Sequence, residues 1–191
     1  MTQTTPLDVE RIRKDFPILS RTVRGDRPLV YLDSGATSQK PTAVLDAERY
    51  YYEHTNAAVH RGAHQLAEEA TDAYESARRR IAEFVGGTAN ELVFTKNATE
   101  SLNLVAGSWG RANLGPGDAI VLTMLEHHAN IVPWQMLASE RRFDIRWIPL
   151  TEDAQLDLGN LDTLLDGAKL VGLTAASNVT GTLTPVRRIA D

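Results

Sequence analysis

The spacing of apolar positions along this chain changes several times, and each change marks an element. Between residues 65 and 85, Leu66, Ala70, Ala73, Tyr74, Ala77, Ile81 and Phe84 recur at helical spacing, predicting a long amphipathic helix ended by Gly86-Gly87. Leu92, Val93 and Phe94 then form a short apolar run that reads as a strand. After it, Leu102, Val105, Ala106 and Trp109 return to the helical period. Beyond the tight turn at Gly115-Pro116-Gly117, the pattern alternates. Strands are predicted over 119–123, 145–150 and 168–175, with helices over 129–140 and 161–165 between them. The uninterrupted apolar run 168–175 is the one expected to be buried on both faces.

Upstream of the long helix, the pattern is choppier. It predicts a short helix over 7–15, a polar turn region over 21–28, a strand over 29–32 and a helix from Pro41 to about His54. Residues 55–64, TNAAVHRGAH, show no period and read as an exposed loop. Strands separated by helices argue for an α/β fold with a mainly parallel sheet, and ligands in such sheets bind where strands end.

Composition narrows the classes. With 191 residues, 42% hydrophobic and 24% charged, the chain can bury a core and is neither disordered nor fibrous. Its net charge of -5 comes from interspersed acids and bases, so no patch for nucleic acid or anionic membrane is expected. There is no cysteine, which removes disulfides, thiolate metal sites and any cysteine nucleophile within these residues. The start, MTQTTPLDVERIRKDF, lacks an apolar leader, and no segment has the length of a membrane span, so the expected compartment is the cytoplasm. The two Asn-X-Thr matches, at Asn97 and Asn178, are then accidental.

Three strand ends carry candidate chemistry. Asn97 is placed to cap the helix that follows, with Glu100 as the second half of a capping box. The amides of Ala98 and Thr99, with the Thr99 hydroxyl, would then form an anion site suited to a phosphate. The same residues also suit an ordinary capped helix. Glu126-His127-His128 follows the second strand, where an imidazole can stack on a ring or act as acid or base. A metal site would need further ligands converging on the histidine pair, and none is expected. Ser177-Asn178 follows the third strand. The loop Asp33-Ser34-Gly35-Ala36-Thr37 is small enough for a close backbone approach to a ligand.

Five motifs in order carry a family resemblance: YLDSGAT from Tyr31, AAVHRGAH from Ala57, NATESLN from Asn97, EHHANIVPWQ from Glu126 and SNVTG from Ser177. Together they resemble the SufS-type cysteine desulfurases, within the class V aminotransferase group. The resemblance implies a pyridoxal 5'-phosphate (PLP) enzyme of fold type I, acting as a homodimer. It implies an α/β/α large domain with a mainly parallel sheet, with residues 1–30 as an N-terminal helix and turn segment and 31–191 as the N-terminal part of that domain. The implied reaction takes sulfur from L-cysteine, leaving L-alanine and an enzyme persulfide that feeds a SUF-type acceptor protein in iron–sulfur cluster assembly.

By the same resemblance, Ala98 and Thr99 hold the cofactor phosphate. His127 stacks on the ring and moves protons, Asn178 lies near the cofactor and the substrate carboxylate, and His60 and Arg61 sit in a loop that reaches an active site of the dimer. His128 is structural. The family's Schiff-base lysine and nucleophilic cysteine match nothing here, since Lys14, Lys40, Lys96 and Lys169 are the only lysines and none suits the bond. The expectation is a chain cut within the large domain before the Schiff-base lysine, inactive alone, with an open sheet edge. Two other readings stay open: an inactive pseudoenzyme or binding fragment, and another class V enzyme such as a selenocysteine lyase.

Overall fold

A computed structural model describes residues 7–191; the opening residues 1–6, with the readings of a leaderless start and of the first part of the 1–30 segment, lie outside the described residues. The chain divides into two compact units, Met1–Val93 and Phe94–Asp191.

In the first unit, α1 (Val9–Arg13) is capped by Asp8, whose carboxylate accepts from the Arg11 amide at 3.0 Å. The polar turn region folds as a two-stranded antiparallel ribbon, β1 (Thr22–Val23) with β2 (Arg27–Pro28), around Arg24 and Gly25 at φ 48° and 90°. Residues 29–32 are not a strand. Val30 and Leu32 are exposed, and no neighbouring strand pairs with them among the described residues. The expected helix from Pro41 is α2 (Thr42–Tyr50), prolonged by a π turn, Tyr51–Thr55. Its first residue ties back to the end of the first helical segment, because the Thr42 amide donates to the Asp15 carbonyl at 2.8 Å.

The long helix is α3 (Gln65–Phe84), with His64 as its N-cap. It ends as its glycines demand: Gly86 takes φ 79° and the Gly87 amide donates to the Ala82 carbonyl at 2.8 Å. Its covered face differs from the expected one. Ala67, Ala70 and Ala82 are buried, while Leu66, Ile81 and Phe84 are exposed. Small residues define this face because the preceding loop comes very close, and a Cβ on Gly62 would stand 2.4 Å from the Ala67 Cβ.

The second unit is a three-stranded parallel sheet with helices on both faces. Its leading helix is α4 (Ala98–Val105), continued by a π turn (Ala106–Gly110) and α5 (Arg111–Asn113). The run 92–94 before it forms no strand. Next come β3 (Ala119–Thr123), α6 (Val132–Arg141), β4 (Asp144–Ile148), α7 (Leu161–Leu165), β5 (Ala168–Gly172) and α8 (Val186–Ala190). The sheet order is β4-β3-β5.

Two cores follow from the alternation of side chains along β3. Ile120 and Leu122 pack with Ala106, Leu114, Trp134, Leu137 and Phe143 on one face, and Val121 packs with Leu125, Ile148, Leu156 and Ile189 on the other. The strand buried on both faces is therefore the central β3, with Ile120, Val121 and Leu122 at 0% exposure, and not 168–175. Strand β5 lies at an edge and is only half covered, so Lys169 is not buried: its ammonium reaches Asp118 at 2.9 Å. That contact and the Gly115 amide hold the Asp118 carboxyl below its ordinary range.

The helix face expected from Leu102, Val105, Ala106 and Trp109 is also shifted. Ala106 and Gly110 are buried, and Val105 and Trp109 are exposed. A Cβ on Gly110 would stand 2.9 Å from both Trp134 Cζ3 and Leu137 Cδ2, so glycine is what lets this helical stretch lie against α6.

Candidate active site

Helix α4 begins as its sequence predicts. Asn97 is the N-cap, in extended backbone, and its side-chain oxygen accepts from the Glu100 amide at 3.0 Å. The capping box is displaced by one residue, because the Glu100 carboxylate accepts from the Lys96 amide instead of that of Asn97. Among the described residues, nothing accepts from the Ala98 or Thr99 amides or from the Thr99 hydroxyl. All three donors are exposed at the positive end of the helix.

Helix α4 packs against the 3-10 turn His128–Asn130 that follows β3. His127 is the N-cap of that turn. Its Nδ1 accepts from the Ala129 amide at 3.1 Å, which in the neutral ring leaves the proton on Nε2. The ring is exposed and lies edge-on to that of His128, centroids 6.3 Å apart. His128, expected to be structural, is also exposed.

Of the residues that fix this turn, Glu126 is a candidate by its place after the second strand, while its partners are not. The Glu126 carboxylate accepts from the Thr123 hydroxyl at 2.7 Å, from the Asn130 amide nitrogen at 2.8 Å and from the Thr174 backbone amide at 2.7 Å. Asn130 in turn accepts from the Trp134 indole at 3.0 Å. Thr123 and Trp134 are buried, so polar groups here sit under an apolar roof and are satisfied by one another. The signal in the sequence was the place of Glu126 at the end of the second strand, next to His127.

Beyond β5, the Ser177 hydroxyl accepts from the Val179 and Thr180 amides, each at 3.2 Å, and Gly181 turns the chain at φ 71°. Asn178 sits on this small loop with its side chain exposed. The structure thus brings the α4 packing and the ends of β3 and β5 to one neighbourhood in the second unit.

His60 and Arg61 belong to the first unit. The loop that carries them is exposed, as expected, but anchored: His60 holds φ 62°, its amide donates to the Thr71 hydroxyl at 3.0 Å, and Nε2 meets Glu75 at 3.0 Å. Partial burial pushes the Glu75 carboxyl up, yet hydrogen bonds from Arg78 and His60 outweigh it and hold the group below its ordinary value. Arg61 is exposed. Among the described residues no three His, Asp or Glu side chains group as a metal site, and no helix is long and apolar enough to cross a membrane.

Residues 30–191 match the family described as aminotransferase class-V, and the chain belongs to it. Among curated relatives, the probable cysteine desulfurase 2 of Mycobacterium leprae is 56% identical over 97% of this chain and 45% of its own length. The cysteine desulfurase of Serratia proteamaculans is 53% identical over 95% of this chain and 45% of its own length. The apo structure of cysteine desulfurase from Thermococcus onnurineus superposes at a TM-score of 0.87 with 37% identity, covering 98% of this chain and 45% of that one. The chain therefore spans about half the length of the relatives it matches, and its α/β fold is that of the desulfurase neighbours.

Proposed function

We propose that this chain supplies the phosphate-binding and ring-facing part of a PLP-dependent cysteine desulfurase, with residues 31–191 contributing to its large domain. The observation that carries the reading is the donor set at α4, two amides and a hydroxyl without protein acceptors among the described residues, on a helix packed against the His127 turn. A dianionic phosphate suits that set in charge and in hydrogen-bonding capacity. Relatives named cysteine desulfurase supply the reaction class.

In the proposed enzyme, Ala98 and Thr99 bind the cofactor phosphate, and the exposed His127 ring faces the pyridine ring. His127 presents Nε2 for proton transfer while Nδ1 is occupied by the Ala129 amide. Asn178, on the loop held by Ser177, donates to the cofactor oxygen or to the substrate carboxylate. When bound, PLP supplies the electron sink for bond changes at the amino acid. In the overall exchange the Cβ–S bond of L-cysteine breaks, an S–S bond forms on an enzyme thiolate, and the carbon gains a proton to give L-alanine. With no cysteine among its 191 residues, the chain takes that thiolate and the cofactor's lysine from outside them. A SUF-type acceptor, a homodimer with His60 and Arg61 at its active sites, and a cytoplasmic setting complete the proposal.

Cysteine-dependent alanine formation by the intact protein tests the reading as a whole, and Ala98→Pro tests the phosphate site. Proline fits the first helical position, and Asn97 already has the extended backbone a following proline requires, so the variant deletes one amide donor without breaking the helix. Affinity of the intact protein for PLP is expected to fall about 10- to 100-fold, as for loss of a hydrogen bond to a charged group. Affinity for pyridoxal, which lacks the phosphate, stays unchanged. Equal PLP affinity in both proteins removes Ala98 from the site.

A further inference from the structure

Glu126 sits between the strand that delivers His127 and the strand that leads to Asn178. We propose that it is the positioning residue that holds these two loops in register. Its Oε1 takes the Thr123 hydroxyl at the end of β3 and the Thr174 amide beyond β5, each at 2.7 Å, so one oxygen clamps two strand ends. Its Oε2 takes the Asn130 amide at 2.8 Å, closing the turn that His127 caps from the far side. The clamp reaches further into the fold. Asn130 is fixed by the Trp134 indole, and its side chain fills the space beside Gly172, where a Cβ would stand 3.1 Å from Asn130 Nδ2.

Every donor in this set has one acceptor, and the set tolerates only one polarity. With Glu126→Gln, whichever way the new amide turns, an N–H group faces the N–H of Asn130 or the N–H of Thr174. Asn130 cannot flip to help, because its oxygen is held by Trp134. With Asn130→Asp alone, two carboxylates face each other. The double variant Glu126→Gln/Asn130→Asp restores every pair: the glutamine oxygen accepts from Thr123 and Thr174, its nitrogen donates to the aspartate, and the other aspartate oxygen accepts from Trp134.

The experiment measures amide hydrogen exchange at Thr174 and Ala129, with kcat and KM for L-cysteine, in the intact PLP-loaded protein and the three variants. Both single variants are expected to speed exchange at Thr174 and Ala129. They lower kcat about 10- to 100-fold through misplacement of His127, with KM little changed. The double variant recovers most of both losses. Wild-type exchange and kcat in Glu126→Gln, or a double variant no better than the singles, overturns the proposal. Where a single variant folds too poorly to assay, the double decides alone: failure to restore folding overturns the clamp. The kinetic arm rests on the desulfurase reading. If the unaltered protein forms no alanine, that reading fails by itself, and the exchange pattern still decides the role of Glu126.

Discussion

His127→Ala is expected to reduce alanine formation from L-cysteine by at least about 100-fold, the lower end of what a positioned acid or base contributes. The expected change in stability is small. The ring is exposed, so its removal leaves no cavity, and the loss is one exposed cap hydrogen bond to the Ala129 amide, worth about 1 kcal/mol. His127→Asn separates the two roles. A short side-chain oxygen can still accept from the Ala129 amide, keeping the turn capped, yet it offers no imidazole. Both variants are expected to lose activity while unfolding at nearly the wild-type denaturant concentration. Full activity in either one ends the catalytic role given to His127.

Trp134→Ala is expected to be the most destabilising single change in the second unit, by about 3–5 kcal/mol, as for truncation of a buried large aromatic. At 2% exposure the indole fills the space between α6 and β3, packs against Gly110 and donates to Asn130. Truncation empties that space and strips Asn130 of the bond that orients it towards Glu126. Trp134→Phe keeps most of the packing and removes only the N–H, so it should cost about 1–2 kcal/mol. Denaturant unfolding of the intact protein checks both. A loss below about 1 kcal/mol for the alanine variant would show that the neighbours collapse into the space.

Much of the second unit could be read locally. Strand β3 and helix α7 fall where their periods place them, and the Asn97 cap sets the start of α4 from three adjacent residues. What failed was information carried by partners distant in sequence. An apolar run becomes a strand only in the context of the chain around it, and 29–32 and 92–94 do not take strand form although Leu29 still donates its amide to the Arg21 carbonyl. Helix faces were misread where size mattered more than hydrophobicity. On α3 and along the stretch Ala106–Gly110, alanine and glycine face the neighbouring segment because it approaches closely, which leaves Phe84 and Trp109 outside.

The site shows the same division. The phosphate-suited amides follow from capping alone, and His127 from its place after a strand. Glu126 also falls at a strand end, but its clamp on Thr174 could not be read that way, because that partner is 48 residues away. His60 shows the converse, since TNAAVHRGAH reads as an exposed loop and only the fold reveals its ties to Thr71 and Glu75.

The most direct test of the central claim supplies the intact protein with PLP and L-cysteine and measures L-alanine alongside the sulfur left on the protein. Alanine formation is expected to depend on PLP, with one sulfur appearing as protein persulfide for each alanine in the first turnover. A PLP-loaded protein that forms no alanine, or releases it without sulfur on the protein, would contradict it.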